Sequence, residues 1–160
     1  AWNLRSLPSY IQQLEMESLG KQPSKDSDLK KTGQIIFGGY GPTAQHSYFQ
    51  LLHQGTQNIC ADIIVNAEDK KSLAYAQATT QSKLMSEGAE GFQDHEKINA
   101  NIPTNLFMIN SDSSYGLGYL LATWEHRTFI TASMLEINPF DQFGVNAGKI
   151  YTKKYLSEKN

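Results

Sequence analysis

"QIIFGGYGPTAQHSYFQ", residues 34–50, decides how the rest of the chain is read. Its first half is apolar and β-branched, and three glycines and a proline follow. Its second half has helical spacing, with Ala44, Tyr48, Leu51 and Leu52 on one side. The stretch reads as a short buried strand over 34–39, a tight turn, and a helix over 43–54 that begins just before His46. The glycines match neither phosphate-loop pattern. Gly38, Gly39 and Gly41 are wrongly spaced for G-x-G-x-x-G, and no Gly-Lys-Ser/Thr follows. They read as a turn requiring positive φ.

The same alternation continues outward. "ICADIIVNA" (59–67) is a β-branched strand, and 68–87 a helix with Leu73, Ala76 and Leu84 facing inward. A polar connection, "GAEGFQDHEKINANIP", leads to a third strand, "TNLFMIN" (104–110). Ser111 to Ser114 then offer caps for a long apolar helix over 115–137. Upstream, "PSYIQQLEMESLG" (8–20) is a helix capped by Ser9 and ended by Gly20, followed by a polar loop. Downstream, "NPFDQFG" opens a final helix with Asn138 as N-cap and Pro139 at its first position. Strand, helix, strand, helix, strand, helix predicts an α/β chain whose parallel sheet is covered on both faces. In such sheets function lies at the carboxyl ends of the strands.

The chain has 160 residues, enough for one domain with a real core, and its 39% apolar and 19% charged residues are ordinary for a globular protein. A net charge of -2 gives no electrostatic reason to expect nucleic acid or an anionic membrane as partner. The single cysteine, Cys60, excludes an internal disulfide and a Cys-rich zinc site, and points to a reducing compartment. The N-terminus lacks an apolar signal core, and Glu125-His126-Arg127 interrupts the longest apolar stretch, which reads as a buried core helix. With no initiator methionine, the sequence reads as a piece of a longer protein.

Three groups of residues could carry chemistry. His46 and His53 stand seven apart with no third ligand in step, so they do not build a zinc site. His46 alone is either a satisfied surface residue or a catalytic imidazole. Gln13 and Glu17, one helical turn apart, are either a solvated face or an amide beside a general base; Glu15 points elsewhere. Gln142 and Lys149 share one stripe of the last helix, where Phe140, Phe143 and Ala147 are expected to be buried. Lys149 is then a charge at a cleft or a snorkelling side chain.

"YIQQLEMESLGK" (10–21), "AQHSYFQLLHQGT" (44–56) and "NPFDQFGVNAGK" (138–149) occur in this order and at these intervals. Together they closely resemble the C-terminal part of the glucose-6-phosphate isomerase (phosphoglucose isomerase) family, over residues 7–155. The resemblance implies a flavodoxin-like sugar-isomerase (SIS) fold, a three-layer α-β-α sandwich ending in a long C-terminal helix. Residues 1–137 would be the second SIS subdomain, truncated at its start so that the sheet lacks a strand and exposes an edge. Residues 138–160 would be the C-terminal helix.

It further implies interconversion of glucose 6-phosphate and fructose 6-phosphate in the cytoplasm, with no metal or organic cofactor. Glu17 matches the family's base, which moves a proton between C1 and C2 through a cis-enediol. Gln13 matches a substrate-lining glutamine, and Gln142 the glutamine beside the phosphate. His46 matches the histidine that assists ring opening, supplied across a homodimer interface, and Lys149 matches the lysine that works with it. Where the family commonly reads Glu-x-Gly-Thr-Asn-Gly-Gln-His, this chain has Gly39 to His46 with the acidic residue and asparagine replaced; Phe143 replaces a tryptophan. The family's phosphate loop and enediolate-stabilising arginine lie upstream, so the segment alone is expected to be inactive. The competing reading is an isolated SIS-type module that binds a sugar phosphate without catalysis.

Overall fold

The structure, a computed structural model, describes residues 2–89, 91, 93–110 and 113–158. Two compact units divide the chain: Ala1–Pro8 with Gly38–Leu121, and Ser9–Phe37 with Ala122–Asn160.

The first unit is built on two strands, β1 (Ala61–Asn66) and β2 (Thr104–Ile109), paired in parallel from Ala61↔Thr104 to Asn66↔Ile109. As expected of parallel strands, a helical crossover joins them: α4 (Leu73–Glu87) contacts both. The apolar core is Leu52, Met85 and Ile102, with Tyr48, Phe49, Ile59, Ala61 and Ile63 packed around it. On the other side of the pleat, Asn105 Nδ2 donates to Asp62 Oδ1 at 2.8 Å.

The ends of α4 follow from local chemistry. Ser72 Oγ accepts the Tyr75 amide at 3.2 Å as N-cap. Gly88 closes the helix at φ 78°, ψ -164°, a region open essentially to glycine alone. A Cβ there would also meet the Ala100 Cβ at 3.1 Å. The returning chain is strapped to α4 by bonds from the Asn101 and Ile102 amides to the Ser86 and Met85 carbonyls, each 3.0 Å.

Three sequence expectations are corrected in this unit. The helix expected over 43–54 is two short ones, α2 (Gly41–Ala44) and α3 (Phe49–Gln54), separated by a turn. Gly38, Gly39 and Gly41 are not at positive φ; Gly38 instead allows close approach, since a Cβ there would meet the Pro8 Cβ at 3.0 Å. Tyr40 makes the turn: its carbonyl accepts the Thr43 and Ala44 amides at 3.0 and 2.9 Å, and its ring meets Trp2 edge-on at 5.1 Å. In α4, Leu73 is 72% exposed and Ala76 is exposed too, whereas Met85 is fully buried.

The second unit holds α1 (Leu7–Leu19) from Ser9 onward, the segment to Phe37, α5 (Ser114–Met134) from Ala122 onward, and α6 (Phe143–Ser157). α1 begins before Ser9, so Ser9 is a helical residue and not the cap; Pro8 stands in the first turn, where its missing N–H costs nothing. Residues 34–37 are not a strand. Their polar groups go to α1 instead: Gln12 Nε2 donates to the Ile36 carbonyl at 2.7 Å, and the Ile36 amide to Met16 Sδ at 3.5 Å. Ile35 is 86% exposed.

α5 is buried along one stripe only, Leu120, Trp124, Thr128 and Ala132, each four residues on. Ser113 Oγ accepts the Gly116 amide at 3.4 Å at its start; Ser111 lies outside the described residues. Asn138 does not cap α6. Its Oδ1 accepts the Phe140 amide at 3.0 Å in a turn, and α6 starts after Gln142 with no side-chain cap. No α6 residue is buried, and Phe140, Phe143 and Ala147 are all exposed. Among the described residues no helix is long and apolar enough to cross a membrane.

Candidate active site

α1 advances about 100° per residue, so Tyr10, Gln13, Leu14, Glu17 and Ser18 form one stripe. With Gln142 they line an open cavity of about 280 Å³ in the second unit. Gln13 Nε2 donates to Glu17 Oε2 at 3.2 Å. The helix end beneath is tied by Lys21 Nζ, which donates to the carbonyls of Glu17 and Ser18, the latter at 3.0 Å. Glu17 is half-buried, Gln13 exposed.

Tyr10, three residues before Gln13, was missed by the sequence reading although it shares the stripe. Its hydroxyl donates to Glu125 Oε1 at 2.9 Å. Burial, reinforced by that carboxylate, pushes its pKa above the ordinary 10.0, so at neutral pH it is a donor and not a base. Ser18 was missed in the same way.

Three of the five expected residues, Gln13, Glu17 and Gln142, therefore meet on one cavity although Gln142 is far from the others in sequence. Lys149 lies on α6, exposed, and does not line it. His46 lies in the other unit, exposed in the turn between α2 and α3. His53, in contrast, is used structurally: its Nε2 stands 2.6 Å from Gln81 Oε1. Among the described residues no three His, Cys, Asp or Glu side chains converge as metal ligands.

A carboxylate with one oxygen tied to a carboxamide keeps the other for a ligand proton, and two amides and a hydroxyl supply hydrogen bonds around it. Fold and site thus define a class: an α/β protein that gathers a carboxylate, two carboxamides and two hydroxyls on one open cavity. The particular relationship is specific. The phosphoglucose isomerase family profile matches residues 2–160. The chain is 39% identical to glucose-6-phosphate isomerase 2 of Neisseria meningitidis serogroup B, over 98% of this chain and 33% of that protein. It is 35% identical to the glucose-6-phosphate isomerase of Hydrogenovibrio crunogenus, over 94% and 33%. The crystal structure of a glucose-6-phosphate isomerase from Chlamydia trachomatis superposes with a TM-score of 0.85 at 28% identity, over 98% of this chain and 33% of that one. The chain belongs to the phosphoglucose isomerase family, and spans about a third of the length of the curated relatives it matches.

Proposed function

We propose that this chain is the C-terminal catalytic portion of a cytoplasmic glucose-6-phosphate isomerase, interconverting glucose 6-phosphate and fructose 6-phosphate without a cofactor. The observation that carries the reading is the meeting of Gln13, Glu17 and Gln142 on one cavity, since the motifs that hold them are separated by most of the chain. Residues 1–137 are then the second SIS subdomain, and 138–160 the segment that brings Lys149.

In this mechanism Glu17 takes the C2 proton of the open-chain aldose and returns it to C1, through a cis-enediol. An aldose and a ketose differ only in the position of two hydrogens: one positioned carboxylate moves the carbon-bound one, and the hydroxyl proton lost from O2 is balanced by the one gained at O1. Gln13 holds the base, Gln142 orients the phosphorylated end, and Lys149 with His46 opens the sugar ring. Exposure of His46 on a turn suits delivery to the site of a second copy in a homodimer. The remaining parts, a phosphate loop and a cation for the enediolate, belong to the upstream SIS subdomain. Losing such an electrostatic stabiliser costs about 10²–10³-fold in rate, so the 160-residue segment alone has negligible activity.

The test is Glu17→Gln in the full-length protein. Proton exchange between C1 and C2 should vanish while sugar-phosphate binding persists, and unchanged exchange would refute the base. A coupled assay on the purified 160-residue segment should show no turnover.

A further inference from the structure

Glu15, two residues from the proposed base, has no part in that mechanism, yet it is among the most buried side chains of the second unit at 2% exposure. Its two oxygens are held differently, one by a hydrogen bond and the other by an ion pair that makes no hydrogen bond. Oε1 stands 3.1 Å from Arg127 Nη2 of α5, and Oε2 accepts Gln34 Nε2 at 2.7 Å. The Arg127 guanidinium lies 5.5 Å over the ring of buried Trp124. Two separate segments thus grip one carboxylate.

Where that carboxylate sits on α1 gives it meaning. At 100° per residue, Glu15 and Glu17 point about 200° apart. Gln12 and Met16, which hold the Ile36 backbone, lie to one side of Glu15, about 60° and 100° round the helix. Tyr10, Gln13, Leu14, Glu17 and Ser18 occupy the cavity side. We propose that the Glu15–Arg127–Gln34 contact is a rotational lock on α1, making Glu15 a positioning residue for the Glu17 carboxylate. This rests on the functional reading above.

Magnitudes favour orientation over stability as its role. A buried ion pair is often no more stabilising than apolar residues of similar volume, because desolvation offsets the attraction. Hydrophobic packing, however, is non-directional, whereas the Gln34 hydrogen bond, with the Arg127 ion pair beside it, fixes an angle. A roll of α1 by about 20° would carry a side-chain tip about 5–6 Å from the axis through about 2 Å. Misplacement of about 1 Å already costs about 10²-fold in rate.

The test is the double variant Glu15→Met/Arg127→Met in the full-length protein. Its denaturation midpoint should stay the same or rise and its KM should hold, while kcat falls about tenfold to a hundredfold. Arg127→Lys, which keeps the charge, should retain most of the kcat. A folded double variant with normal kcat overturns the lock. If the double variant does not fold, Gln34→Met decides: a fall in kcat at constant KM supports the lock, and an unchanged kcat overturns it. Glu17→Gln run alongside separates the two claims. If it leaves exchange intact, the functional reading fails; if it abolishes exchange while the double variant runs normally, only the lock fails.

Discussion

α4 and α6 are both 15 residues long, yet they are held in opposite ways. α4 has a serine N-cap, a glycine terminator and a fully buried methionine. α6 has no side-chain cap and buries nothing; Phe143, Ile150, Tyr151 and Tyr155 are each more than half exposed. Short helices draw most of their stability from tertiary packing of one face, not from propensity. α4 therefore belongs to a unit that completes its own core, while α6, bearing Lys149, presents its apolar side chains outward.

The contrast is open to measurement. The largest expected effect is Met85→Ala, which empties the best-packed position and should cost about 2–5 kcal/mol in chemical denaturation. Next is Gly88→Ala: a side chain forced into that backbone region costs about 1–3 kcal/mol, before any push from Ala100. Ser72→Ala should remove the cap for about 1 kcal/mol, whereas Gln142→Ala should cost no capping energy. Amide exchange on the 160-residue chain should then find 143–157 poorly protected and 73–87 well protected; equal protection would erase the contrast.

The smallest effect is a pH dependence. The folded pKa of Tyr10 is raised, so its contribution to stability is complete below pH 10.0 and is lost as pH rises through the folded value. Tyr10→Phe, which also loses the bond to Glu125, should lower stability slightly near neutrality and flatten that alkaline fall.

The elements that satisfied their own local rules were legible in sequence. β1 announced itself through a β-branched run, β2 through a short apolar one, and α1 through its spacing and Gly20. The 34–39 segment has the same composition as a strand, but a strand also needs a neighbour, and here Gln12 and Met16 take its backbone groups. The inward face of α4 was misread because glutamines occupy part of it. Gln81 meets His53, and Gln77 Nε2 donates to Gln45 Oε1 at 3.4 Å, pairings that hydropathy cannot anticipate. The split of 43–54 falls where the His46 and Ser47 amides bond three residues back, to Thr43 and Ala44, and Tyr48 leaves helical geometry at φ -120°, ψ 1°.

The site was legible unevenly. One helical turn between Gln13 and Glu17 foretold their contact, and the same arithmetic extended by one step would have added Tyr10 and Ser18. Gln142 was read with Lys149 as one stripe of the last helix, but it precedes α6; its link to α1 came only through the family resemblance. Glu15 was set aside as pointing elsewhere; its direction was right, and its burial against Arg127 is what gives that direction a use.

The two-stranded sheet has a bearing on how such a chain fares during synthesis. Among the described residues, β1 and β2 have only each other, so each strand has one edge without a strand partner. Open edges of this kind are templates for any extended segment of another chain. Overproduced alone, the segment should associate in a concentration-dependent way and call on chaperones.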